Sequence, residues 1–223
     1  MYCLKKLILF LPLLAIAFII APQTARADSY ALNIDACTGG CGTGTLATVD
    51  VTQFAVNQVQ LQVTFTTPTS KFVTTGAGDF MVFTFNIAGS PTVTLVGSIT
   101  SGAPSPALTF INPGMTNANF GDFEYAIQCA GCSNGAAGGF LGPLTFVLQA
   151  TGLTPAAFAT PSTGGASNGN QFFAVDMLGG TTGNTGVVAG STRTSVPEPS
   201  SLITVGFSIL LFGFGIRKSL AKD

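Results

Sequence analysis

The chain has 223 residues, 47% of them hydrophobic and only 8% charged, and it contains neither histidine nor tryptophan. Once its two apolar ends are set aside, that length allows one ordinary domain. Without an imidazole it lacks both the side chain that titrates near neutral pH and a common zinc ligand, which excludes many hydrolase and metal-site designs.

Charge is unevenly placed. Lys5, Lys6, Arg26, Arg217, Lys218 and Lys222 lie in the ends, leaving Lys71 and Arg193 against seven acids between residues 28 and 195, a net charge of −5 for that stretch. A body so poor in cations has no footprint for phosphate backbones, which argues against nucleic acid, and against an anionic bilayer surface, as partner.

In chain order, the first predicted element is an export signal. Lys5-Lys6 precede an apolar run from Leu7 to Ala21, and Ala25-Arg26-Ala27 stand before Asp28. These are the three parts of a secretory signal peptide, so residues 1–27 are expected to be removed by signal peptidase, with Ala25 and Ala27 in its narrow subsites. The other reading, a retained helix, is opposed by Pro12 inside the run. Cys3 precedes the apolar run and leaves with the peptide, so this is not a lipoprotein signal.

Residues 28–195 form the predicted body, where the hydrophobic period is two. Gln58 to Thr66 alternates without error, with Val59, Leu61, Val63 and Phe65 on one face and amides and hydroxyls on the other. Less pure alternation predicts strands at 47–54, 80–87 (Met81, Phe83, Phe85 and Ile87 inward), 92–99 and 123–127, with further candidates at 107–111, 144–150 and 172–177. Turn chemistry separates them, as at Gly76-Ala77-Gly78-Asp79 and Asn112-Pro113-Gly114. About eight short strands of this kind predict an all-β fold, an antiparallel β-sandwich of jelly-roll or immunoglobulin-like type. Threonine-rich outer faces keep such a surface wet without charge, and the 19 phenylalanines read as core volume. A short helix is expected where Thr154 offers a cap and Pro155 the first helical position, followed by a mobile loop at 161–170. Residues 187–195 read as a last strand running into a tether.

Four cysteines remain after export, in Cys37-Thr38-Gly39-Gly40-Cys41 and Cys129-Ala130-Gly131-Cys132. An oxidising compartment makes disulfides the default, with three possible connectivities. Glycines inside both loops permit local closure, which favours Cys37 with Cys41 and Cys129 with Cys132; cross-pairing would pin the amino-terminal strand to the sheet. Two further readings compete: a four-thiolate zinc site and a Cys-x-x-Cys thiol oxidoreductase, which lacks the strand-to-helix context that activates a thiolate.

Carboxylates offer two candidate chemistries. Asp122 and Glu124, two apart in a predicted strand, fit the spacing of a glycoside hydrolase pair, although that chemistry needs a buried cleft to raise one pKa. Asp79, Asp122, Glu124 and Asp176 at strand ends could hold calcium, but no EF-hand or repeat-type loop is present. No Gly-x-Ser-x-Gly, Walker or dinucleotide motif appears in a plausible context, and no cofactor is expected.

At the far end, Ser200 to Ile216 is 17 uncharged residues, followed by Arg217, Lys218 and Lys222. At about 1.5 Å per residue it is just long enough to span a bilayer. The basic residues at both ends would stay on the cytoplasmic side, leaving the body exported. Before the span stands Val196-Pro197-Glu198-Pro199-Ser200-Ser201, whose prolines hold an extended segment that a processing enzyme can bind as a strand. These three parts in order, over residues 196–223, resemble the PEP-CTERM sorting signal of bacteria with outer membranes and exopolysaccharide systems; the basic tail is thinner than is usual in the family. The resemblance implies recognition of Val196, Pro197, Glu198 and Pro199 by an exosortase, retention by Arg217 and Lys218, and removal of the helix near Pro197–Pro199. It extends more loosely to a Cys-x-x-Cys loop before a penultimate strand and to Gly183-Asn184-Thr185-Gly186.

Together these observations predict a non-enzymatic exported protein of the cell surface or extracellular matrix, structural or adhesive in a biofilm or exopolysaccharide. Its partners would be signal peptidase and the export machinery, an exosortase, the membrane before processing, and exopolysaccharide. The alternatives are a carbohydrate-binding module using phenylalanines, Tyr30 and Tyr125, perhaps with calcium, and a polysaccharide hydrolase using Asp122 and Glu124.

Overall fold

The computed structural model describes residues 27–75, 81–112, 115–117 and 119–195. Ala25, Asp79 and the whole segment from Val196 to Asp223, with its sorting motif, span and basic tail, lie outside the described residues. No helix among the described residues is long and apolar enough to cross a membrane.

The strands are, in chain order, β1 (Ala27–Leu32), β2 (Ile34–Asp35), β3 (Ala47–Ala55), β4 (Gln58–Phe65), β5 (Lys71–Phe72), β6 (Met81–Phe85), β7 (Thr94–Thr100) and β8 (Thr109–Ile111), then β9 (Met115–Asn117), β10 (Gly121–Phe123), β11 (Tyr125–Gln128), β12 (Leu144–Gln149), β13 (Phe173–Leu178), β14 (Thr185–Gly190) and β15 (Thr192–Ser195). They build two antiparallel sheets. One has six strands in the order β15-β1-β3-β4-β12-β7; the other has seven, β2-β14-β13-β6-β11-β8 with β5 also on β13; β9 and β10 pair separately. The all-β expectation is met, as a two-sheet arrangement of the sandwich kind.

Alternation explains the six-stranded sheet. Val59, Leu61 and Val63 of β4, Val49 and Val51 of β3, and Leu144, Phe146 and Leu148 of β12 are all buried. Rings close the space to the other sheet, with Phe146 lying 5.9 Å from Phe85 and 6.1 Å from Phe83, and Tyr30 4.9 Å from Phe173. Each such side chain contributes roughly 1.5–3 kcal/mol by leaving water. On the outer face uncharged side chains hydrogen-bond across the strands: Gln58 Nε2 donates to Gln149 Oε1 at 2.7 Å and Gln62 Nε2 to Thr145 Oγ1 at 3.3 Å, while Asp50 of β3 stands opposite Gln62.

The seven-stranded sheet departs from simple alternation. Besides Phe83, Phe85 and Ile87, Val82, Thr84 and Asn86 are buried, while Met81 is only half-buried. Val82 joins the main core where the register between β6 and β11 shifts. The other two lie under a third layer, in which Phe120 and Phe123 pack on Ala174 and Ala189, flanked by Ile34, Ala36 and Val187. Small alanines on the sheet leave room for the two rings.

Residues 161–170, expected as a loop, are one, and they are tied to that layer at several points. Ser162 is buried, its Oγ donating to the Phe120 carbonyl and accepting from Gln171 N–H, while Thr163 pairs with Asp122 and Asn168 N–H donates to Asn119 O at 2.9 Å. Ser162 is the one buried residue of the segment, and its polar atoms are hydrogen-bonded. The helix expected at Pro155 is present as one 3-10 turn, Pro155–Phe158, with Phe158 buried.

The single last strand expected at 187–195 is two. β14 belongs to the seven-stranded sheet and β15 to the six-stranded one, and Gly190 sits at the crossing, where a Cβ would meet the Ala31 carbonyl oxygen at 2.0 Å.

Candidate functional site

The most organised polar cluster is the turn closed by the Cys37–Cys41 disulfide, whose Cα atoms are 5.6 Å apart. β2 delivers Asp35 to its mouth. One carboxylate oxygen accepts from Cys37 N–H at 2.8 Å, and the other from Cys41 N–H at 2.7 Å and Gly42 N–H at 3.2 Å. Gly39 and Gly40 both adopt left-handed backbone, with φ of 82° and 80°, which lets the chain reverse inside the ring. Asn184, from the Gly-Asn-Thr-Gly element, then donates to the carbonyls of Gly39 and Gly40 at 3.0 and 2.8 Å. No role was expected for Asp35, and Asn184 stood out in the sequence only as part of the Gly-Asn-Thr-Gly element. A signal existed for Asp35, since an aspartate two residues before the turn can accept the N–H of that residue.

Asp35, Cys37 and Cys41 bring their oxygen and sulfur atoms within 4.8 Å of one another. The donor set does not fit a metal, because both sulfurs are bonded to each other and the carboxylate is taken by three N–H groups. Cys129 and Cys132 likewise form a local disulfide, Cα to Cα 5.4 Å, buried at the end of β11. Local closure at both pairs overturns the four-thiolate zinc reading. The second disulfide follows a strand, not a helix start, and four strands come after it, not the two expected.

Asp122 and Glu124 do not share a strand face. Phe123–Ile127 is broken by a bend at Glu124, so Asp122 lies in β10 and Tyr125 opens β11. Asp122 exchanges backbone hydrogen bonds with Thr163, and Glu124 accepts from Ser90 Oγ at 2.6 Å while its N–H donates to Asn86 Oδ1 at 2.7 Å. Asp176 is buried and accepts from Thr75 N–H and Oγ1 at 2.8 and 2.9 Å. Of the expected calcium acids, the Glu124 and Asp176 carboxylates are thus held by different partners, Ser90 and Thr75, and Asp79 lies outside the described residues.

Tyr30 and Tyr125 are fully buried. Burial first, then the neighbouring carboxylate, pushes both phenols from 10 up to about 12, with Asp28 beside Tyr30 and Glu124 beside Tyr125. Tyr125 donates to the Pro91 carbonyl at 2.6 Å, whereas the Tyr30 hydroxyl has no partner among the described residues. Neither ring is presented to solvent.

The remaining candidates meet at one end of the six-stranded sheet. Ala27, expected to precede the signal cut, opens β1 opposite Thr52 of β3, and Asp28 lies opposite both Val51 of β3 and Ser195 of β15. Arg193 holds this edge by donating to Asp28 Oδ1 at 2.6 Å, the one ion pair among the described residues. That hydrogen bond raises the guanidinium's pKa further. The first residue after the expected signal cut and the last residue before the expected sorting motif are therefore direct strand partners.

These features define a two-sheet, disulfide-closed β protein in which Asp35 and Asp176 hold backbone N–H groups and Asp28 holds Arg193. Comparison with protein-family models, curated proteins and solved structures finds no match to this chain.

Proposed function

We propose that this chain is an exported, non-enzymatic protein of the cell surface or extracellular matrix, made with a signal peptide, held by a carboxy-terminal membrane span and sorted through an exosortase-type system. The observation that carries this reading is the pairing of Asp28 with Ser195. A precursor tied to one membrane by both ends needs those ends together, and β1 and β15 put them side by side.

Two local disulfides support the same compartment, because such bonds persist where the surroundings oxidise. The body is read as a jelly-roll or immunoglobulin-like sandwich with a structural or adhesive role. On its outer face Gln58, Gln62, Thr145 and Gln149 offer amides and hydroxyls to exopolysaccharide. Buried Tyr30 and Tyr125 give no platform for stacking on sugars, so a second reading is not favoured.

The test is processing in the native host. Pro197→Ala and Glu198→Ala should each accumulate the anchored precursor, read by its mass on immunoblots of membrane and external fractions. Unchanged release of both variants would refute sorting through this motif.

A further inference from the structure

Large apolar side chains are exposed at one place among the described residues, the tip of the β3–β4 hairpin, where Phe54 is 58% and Val56 75% exposed. The tip is built to hold its shape. Gln53 Nε2 donates across it to the carbonyls of Ala55 and Gln58 at 2.7 and 3.0 Å, Asn57 adopts the left-handed backbone that asparagine tolerates (φ 63°), and Gly152 N–H donates to Asn57 Oδ1 at 2.9 Å. From Thr52 to Gln58, and from Gln149 to Thr154 beside it, there is no charged residue. Phe54, Ala55 and Val56 thus form an apolar point between hydrogen-bonded amides, and no charge has to be desolvated for it to enter hydrocarbon.

Strand register says which way this tip points. Ser195, where the described chain ends, lies opposite Asp28, and Asp28 lies opposite Val51. Phe54 is three residues beyond Val51, so the tip projects about 10 Å past the level of Ser195 in the direction in which β15 runs. Only Val196 to Pro199 separate Ser195 from the apolar run beginning at Ser200, and four residues span at most about 14 Å. On the anchored-precursor reading, a tether no longer than that would keep the bilayer within reach of the tip.

We infer that Phe54 and Val56 dip into the lipid bilayer that anchors the precursor, standing the body on its β3–β4 hairpin beside its own tether. The inference rests on the anchored-precursor reading above. The contact is apolar, so it does not conflict with a body too acidic for anionic lipid surfaces. A single myristoyl chain gives only marginal, reversible membrane binding, and two side chains with fewer carbons bind more weakly still. The tether supplies the effective concentration that makes the contact persist, and a cut near Pro197–Pro199 removes it, so the same step that severs the anchor also frees the tip.

The absence of tryptophan gives a direct test. Phe54→Trp and, in a separate chain, Val56→Trp each place a single fluorophore at the tip, and Thr181→Trp places one in the exposed turn at the opposite end, beyond Leu178 of β13. Each full-length chain is purified from membranes and returned to phosphatidylcholine vesicles with or without brominated acyl chains. Flotation reports the anchor; quenching reports the tip. The expected result is flotation of all three, with roughly twofold or greater quenching by brominated lipid at both tip positions, as for rings at about 5–10 Å depth, and none at the Thr181→Trp position. Flotation with equal quenching at the two ends overturns the inference while leaving the anchor in place. Chains that fail to float overturn both.

Discussion

In the six-stranded sheet the side chains of β4 that face away from the core are Gln58, Gln60, Gln62 and Thr64, half-buried or exposed, and they meet water and one another. In β6 and β13 the corresponding side chains, Thr84, Ala174 and Asp176, are buried. The difference comes from the third layer of Phe120, Phe123 and the 162–171 segment, which lies on one sheet alone. A strand with one wet face must alternate; a strand covered on both faces is free to carry apolar residues and satisfied polar ones in sequence.

The largest test of that contrast removes a ring from the shared core. Phe85 lies within 5.5–6.5 Å, centroid to centroid, of Phe83, Phe110, Tyr125, Phe146 and Phe158, so Phe85→Ala is expected to cost about 3–5 kcal/mol in urea unfolding. A smaller loss is expected at the margin of the seven-stranded sheet. Asp35→Ala strands three N–H groups and should cost about 2–3 kcal/mol with both disulfides still formed. The two outer faces are compared directly by adding the same side chain to each. Ala174→Leu, under the third layer, should lose about 2 kcal/mol to overpacking, whereas Thr64→Leu, in water, should stay within about 0.5 kcal/mol. Equal costs would mean that the third layer does not seal its sheet.

Alkali separates the sheets by their tyrosines. Tyr30 in β1 and Tyr125 in β11 both ionise at about 12 when folded and near 10 when unfolded. Between those values the unfolded chain has released protons that the folded one still holds, so stability is full below pH 10 and falls as pH rises toward 12. The slope is at most about 1.4 kcal/mol per pH unit for each tyrosine. Tyr30→Phe should remove about half of that loss and, because its hydroxyl has no partner among the described residues, should not lower stability at pH 7.

Legibility followed solvation. The β4 alternation and the local disulfides were readable because a period of two and a glycine-bearing loop are local features. Missed strands were either short, such as β2 and β5, or defined by a distant partner, such as β15, which changes sheet at Gly190. Pairing of Asp122 with Glu124 failed because a bend at Glu124, held by Asn86 and Ser90 from elsewhere in the chain, cannot be seen in spacing alone. Burial of Tyr30 and Tyr125 likewise depends on the opposite sheet. Asn184 became informative only when its carbonyl partners at Gly39 and Gly40 were in place.

The most direct test of the account is the intact mass of the mature protein taken from its native envelope, alkylated with and without prior reduction. A chain beginning at Asp28, ending between Val196 and Pro199 and taking up four alkyl groups only after reduction is the predicted result. A chain that retains Leu202 to Ile216, or whose cysteines alkylate without reduction, would contradict it.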